Sequence, residues 1–141
     1  MADDHDLARY VEAQDAGGTY ARALAELRAG RKQSHWMWFV LPQIAGLGFS
    51  PMAQRYAIAD LAEARAYLAH PVLGPRLRDC VAAMNAHEGL SARAILGSPD
   101  DMKFRSCLTL FARASDDNAD LRAALAKYYG GEPDPETLRR L

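Results

Sequence analysis

With 141 residues, half of them hydrophobic and a quarter charged, the chain has the length of one domain and the composition of a folded protein, which excludes disorder. A domain of this size buries about two thirds of its unfolded surface, so neither a disulfide nor a structural metal is required. A net charge of −1 provides no global field for nucleic acid or an anionic membrane.

The cations are 14 Arg and 3 Lys. Arginine forks suit carboxylates and phosphates, although an Ala- and Arg-heavy composition also follows from genomic base bias. Cys80 and Cys107 sit inside apolar helical patterns without CxxC spacing, which argues against metal or redox use. The acidic N-terminus MADDHDLARYVEAQ has neither the basic nor the apolar region of a signal peptide. No apolar run reaches the ~18 residues of a membrane span. A cytoplasmic protein with no cofactor, no metal, no nucleic-acid partner and no membrane partner is expected; oligomeric state is not readable.

Asp6 to Ala13 reads as a first helix, with Leu7, Tyr10 and Val11 on one stripe. Gly17-Gly18 breaks it, and Thr19 is placed to cap a helix from Tyr20 to Ala29 that stops at Gly30. Ser34 is placed to cap a short aromatic helix, His35 to Leu41, which Pro42 ends. Gln43 to Pro51 is a turn-rich loop. Asp60 with Glu63 has capping-box spacing and opens a helix over Leu61 to Ala69.

Leu73 to His87 follows, with Leu73, Leu77, Val81 and Met84 as its apolar stripe. Ser91 caps Ala92 to Leu96. Ser98-Pro99-Asp100-Asp101 starts a helix running to about Ala114, whose inward face is Phe104, Cys107, Leu108 and Phe111. Asn118 to Tyr129 is stopped by Gly130-Gly131, and Asp134 to Leu141 has Asp as cap and Pro135 at the first helical position. Val40 to Ala45 is the only strand candidate, and Pro42 spoils it. The expected fold is all-α: a single compact domain of seven or eight mostly short helices.

The densest stretch is RKQSHWMWFVLPQIAGLGFSP, Arg31 to Pro51. Together with EAQ at 12–14, YARALAEL from Tyr20, YAIADLAEARAYLAHPVLGPRL at 56–77, DDMKFRSCLTLFARAS at 100–115 and a closing Gly131, Asp134, Thr137, it resembles the domain-of-unknown-function family 1810, found in bacteria and fungi. The resemblance covers nearly the whole chain and implies an α-helical fold without an established reaction. Relatives sometimes carry the label "calpastatin"; a disordered protease inhibitor would lack this aromatic content and continuous amphipathic pattern. Lys103-Phe104 followed by Asn118, Leu121 and Leu125 is similar to a late pattern of the NADAR family of N-glycosidases, whose catalytic acid has no counterpart here.

Several groups are able to carry chemistry. Trp36 and Trp38 either fill the core, as large aromatics usually do, or form a wall on which a planar ring stacks, with His35 and Gln43 supplying polar contacts. Gly46-Leu47-Gly48 with Ser50 marks either tight backbone or an anion site at the following turn. Lys103, Arg105, Ser106 and Thr109 make a polar ridge that is either a solvated face or a phosphate grip. Lys32 stands ready to guide an anion to the aromatics. His5, His70 and His87 read as terminal or helix-end residues, and Asp134 as a cap.

The expected site is a pocket between the aromatic segment and the Lys103–Thr109 ridge, for a small nucleotide- or ADP-ribose-like anionic metabolite. The N-glycosidase likeness implies hydrolysis of an N-glycosidic bond, for which Glu26, Asp100 or Asp101 would supply the carboxylate. The competing class is a non-enzymatic ligand-sensing or protein-interaction module.

Overall fold

The structure is a computed structural model that describes residues 5–141, so the first four residues of the acidic N-terminus lie outside it. Among the described residues it is all-α. The helices are α1 (Ala8–Asp15), α2 (Thr19–Ala29), α3 (Met37–Val40), α4 (Pro51–Arg55), α5 (Leu61–Ala69), α6 (Leu73–Asn85), α7 (Ala92–Leu96), α8 (Asp100–Ala114), α9 (Ala119–Tyr129) and α10 (Pro135–Arg139). The only β pairing among them is one parallel bridge between Ile44 and Ile58, within the stretch that Pro42 prevents from becoming a strand. None of these helices is long and apolar enough to cross a membrane.

α8 is the central element, packed against α5, α7, α9 and α10. Its expected inward face is fully buried at Phe104, Cys107, Leu108 and Phe111, and burial continues through Ser106, Thr109 and Leu110. Around it α6 joins α2, α5 and α9, while α1 leans on α2 and α3. The α5–α6 crossing depends on Gly74, because a Cβ there would overlap the Leu68 carbonyl oxygen. Burial pushes the free Cys80 thiol up to about 12 and raises Cys107 as well, so both thiols are apolar filling.

Caps decide the helix starts, and three differ from the sequence reading. Thr19 is the first residue of α2; Gly18 in left-handed conformation is its N-cap, and Thr19 Oγ1 donates to the Ala16 carbonyl. Ser34 does not cap α3, whose N-cap is Trp36. Glu26 takes the Gln33 and Ser34 amides instead and draws residues 33–36 out of helical geometry. α8 begins at Asp100, so Pro99 stands at its N-cap and not at the first helical position, and the Ser98-Pro99 bond is cis.

The remaining cap signals act as expected. The side chains of Asp60, Ser91 and Asp134 accept from Glu63 N, Ala94 N and Thr137 N. Glu63 Oε1 in turn accepts from Ala59 N, one residue before the cap. Ser50 likewise caps α4 through Ala53 N, with Pro51 at N1.

Candidate functional site

Glu26 is the point from which the site is built. It lies near the end of α2, and its carboxylate accepts from Gln33 N at 2.9 Å, Ser34 N at 3.0 Å, Ser34 Oγ at 2.6 Å and Trp36 Nε1 at 2.9 Å. Burial works to raise its pKa, but the Ser34 hydroxyl and the other three donors outweigh that and lower it to about 2. A carboxylate with four donors is ionised at neutral pH and ties the loop after α2 to that helix. Gln14, from the EAQ segment, braces the other side: its Nε2 donates to the Phe39 carbonyl at 2.8 Å and to Tyr67 Oη at 3.2 Å.

The loop delivers Lys32 to α8. The Lys32 amide donates to the Ile95 carbonyl. Its ammonium donates to the Ser34 carbonyl at 2.6 Å, meets Asp100 Oδ2 at 3.0 Å and lies 5.0 Å from the Trp36 ring centroid. Asp100 Oδ1 is 3.7 Å from Lys103 Nζ, which stands 6.0 Å from the Trp38 ring. Two of the three lysines therefore share one carboxylate between the two indoles. Asp100 and the ionised Glu26 that ties the same loop balance the two ammoniums in number, and Lys103, the more loosely held of the two at 3.7 Å, is the one that faces Trp38.

A small recess opens there, lined by Trp38, Gln43, Tyr56, Lys103 and neighbouring apolar residues. Its volume of about 10 Å³ is room for one water at most. Gly48 forms the adjoining backbone, where an added Cβ would come 2.6 Å from Ala53 Cβ and 3.4 Å from Gln43 Nε2. Phe49, next to it, is 81 % exposed.

The structure thus gathers Lys32, Trp38, Gln43, Gly48, Asp100 and Lys103. It does not bring the other candidate residues to that place as free groups. Trp36 is fully buried, so its indole is core filling tied to Glu26, not a stacking wall. His35 is exposed. Gly46 lies under the Arg140 guanidinium, and Ser50 is engaged as the α4 cap. Asp101 sits beside Tyr129, whose phenol is raised by burial first and by Asp101 second, and whose hydroxyl donates to the Asp101 carbonyl.

Arg105, Ser106 and Thr109 hold the C-terminal segment. Arg105 donates to the Glu132 and Pro133 carbonyls. Ser106 Oγ donates to Asp134 Oδ2 at 3.0 Å, and Thr109 Oγ1 accepts from Asp134 N at 2.8 Å. Asp134 Oδ2 also accepts from the buried Thr137 hydroxyl at 2.6 Å. The spaced Gly131, Asp134 and Thr137 are therefore a docking clip. Sequence reading passed over Tyr56 and Ala53 as lining residues; the only signal for them was their place just after the Gly48 turn.

The family model described as "Protein of unknown function (DUF1810)" matches residues 4–141. The chain belongs to this family. The blocks that carry the DUF1810 likeness are the ones that build the Glu26 brace, the lysine–carboxylate cluster and the Asp134 clip. The chain is also similar to the crystal structure of the conserved hypothetical protein Rv1873 from Mycobacterium tuberculosis, at 54 % identity and a TM-score of 0.96, covering 99 % of this chain and 98 % of that one. No curated protein matches it. Of the residues shared with the N-glycosidase pattern, Phe104, Leu121 and Leu125 are buried core, and Asn118 donates to the Ala112 carbonyl. That part of the likeness is accounted for by packing.

Proposed function

We propose that the chain is a recognition domain for a small anionic metabolite with a planar ring, nucleotide- or ADP-ribose-like, bound without cleavage. The ring lies on Trp38, Gln43 supplies a polar contact at its edge, and Lys103 with Lys32 behind it takes the anionic group. The observation that carries the reading is the shared Asp100. It holds two of the chain's three lysines next to an indole, and the Lys103 ammonium, 3.7 Å from Asp100 and 6.0 Å from the Trp38 ring, is the one placed to meet an anionic group.

Binding is preferred to N-glycosidic hydrolysis because of the carboxylates. Hydrolysis calls for an acid beside the ring that is raised in pKa or free to activate water. Glu26 is depressed to about 2 with four donors on it, Asp100 is ion-paired twice, and Asp101, although one of its carboxylate oxygens is buried without a partner among the described residues, lies towards Tyr129 and does not line the Trp38 recess.

The test is thermal shift and calorimetry with nucleotides, NAD, ADP-ribose and phosphosugars, on the parent protein and on Lys103→Ala and Trp38→Ala. A ligand at ~100 times its Kd adds about 2.7 kcal/mol of stability, and both variants lose that gain. Chromatography of the recovered ligand finds it intact. No shift with any of these compounds removes the reading; a shift followed by release of free base replaces it with hydrolysis.

A further inference from the structure

A second concavity, which shares no lining residue with the Trp38 recess, has a composition that points to a different ligand. It lies between the second half of α8, the outer face of α9 and the C-terminal segment, an open cleft of about 700 Å³, within the ~300–1,000 Å³ of small-molecule sites. It exists because the seam between α8 and α9 is lined by alanines, Ala112 on one side and Ala119, Ala123 and Ala126 on the other, which are too short to fill it. Its third wall, carrying Pro133 and Leu138, is clamped by the Arg105, Ser106 and Thr109 bonds to residues 132–134.

The cleft is polarised. α8 and α9 form a hairpin through residues 115–118, so Arg113 and Arg122 fall at the hairpin end while Leu125, Pro133 and Leu138 fall at the other. Both arginines line the cleft and are exposed. Neither guanidinium is hydrogen-bonded or ion-paired to another described residue, whereas Arg78 on the far side of α9 is paired with Asp120. Asp116 and Asp117 in the connecting turn are exposed and leave both guanidiniums unpaired. Two free planar forks at the head of an apolar trough match an oxyanion carried on an apolar body.

We infer that this cleft binds an amphipathic anion: an apolar chain lies along the alanine seam towards Leu138, and its carboxylate or similar oxyanion sits between Arg113 and Arg122. The site is independent of the Trp38 cluster.

The probe is dodecanoate, titrated calorimetrically below its micelle concentration into the full chain, with dodecyltrimethylammonium as a control of equal chain length and opposite charge. Dodecanoate binds with one site per chain and the cation does not. Arg113→Ala with Arg122→Ala weakens dodecanoate at least tenfold. Ala123→Trp, at an exposed position that projects a ring into the seam, abolishes binding while the melting temperature stays near that of the parent. Lys103→Ala leaves dodecanoate binding unchanged, so this site and the Trp38 site stand or fall separately. The inference is overturned if dodecanoate fails to bind, if the cation binds equally well, or if Ala123→Trp binds dodecanoate like the parent.

Discussion

The Trp36 indole N–H donates to Glu26 Oε1 at 2.9 Å, joining the most deeply buried tryptophan to a carboxylate that three other donors also share. The pair sets the loop that presents Lys32. Glu26→Gln keeps the shape but replaces one acceptor oxygen by a donor, turning it against N–H groups that need acceptors. Because the folded pKa of about 2 lies below the ordinary 4.5, the ionised form stabilises the fold. That contribution is fully present above about pH 4.5 and is lost as pH falls towards 2. After allowance for solvent around a partly exposed group, the variant is less stable by about 1–2 kcal/mol at neutral pH. Urea melts across the acid range check it: the gap between parent and variant narrows as pH drops, and a pH-independent gap contradicts the argument.

Gly74 inverts an ordinary substitution rule. Alanine in place of a helical glycine normally gains up to about 1 kcal/mol. Here the new Cβ meets the Leu68 carbonyl oxygen, which is backbone and has no rotamer to escape into. Gly74→Ala is expected to lose about 2–3 kcal/mol through the forced separation of α5 and α6, a fall of several degrees in Tm. Calorimetry that finds Gly74→Ala as stable as the parent would show that the crossing can spread at little cost.

These two residues also mark how far the sequence could be read. Gly74 stands in a regular apolar pattern, and nothing in LGPRL distinguishes it from a tolerated helix-start glycine; the reason lies in Leu68 of the preceding helix. The helix starts at Asp60, Ser91 and Asp134 were legible because a cap is a contact between near neighbours in the chain. Thr19 failed as a cap for a local reason, because left-handed Gly18 starts the helix one residue earlier and the Thr19 hydroxyl turns back to the Ala16 carbonyl; Ser34 failed because a longer-range partner won, Glu26 of the previous helix taking its amide and hydroxyl. The same limit applied to the site. Lys32, Trp38, Gln43 and Lys103 were individually visible as polar or aromatic residues. Their convergence on Asp100 is a tertiary fact, and so is the diversion of Arg105, Ser106 and Thr109 to Asp134.

Asp134 is where that diversion is tested. Its carboxylate accepts from Ser106 Oγ, Thr137 N and Thr137 Oγ1, and the Thr137 hydroxyl is fully buried. Asp134→Ala removes a cap worth up to about 2 kcal/mol and strands a buried hydroxyl. A loss of about 2–3 kcal/mol is expected. Hydrogen exchange gives the sharper readout: protection falls over residues 131–141 and stays as in the parent over α1 to α3. Uniform loss of protection would mean that the segment is not a separate clip.

Lys32 and Asp100 form the pair on which the proposed site depends, and their coupling is open to measurement. The Lys32 side chain is only 8 % exposed and that of Asp100 19 %, so solvent screens them far less than a surface pair. Asp100→Asn leaves the Lys32 ammonium with the Ser34 carbonyl and the Trp36 face but without its counter-charge, a loss of about 1–3 kcal/mol. Lys32→Met keeps most of the stem's packing and removes the charge, costing about 1 kcal/mol. Once Lys32 is methionine, Asp100→Asn strands no buried cation, and Lys103 is left as the partner of whichever residue remains. The double variant is therefore more stable than the sum of the single losses predicts, with a coupling of about 1–2 kcal/mol that persists in high salt. Urea melts of the four proteins at two salt concentrations measure it. Strict additivity would mean that Lys103, not Lys32, is the cation Asp100 holds in solution, and the ammonium offered beside Trp38 would have to be reassigned.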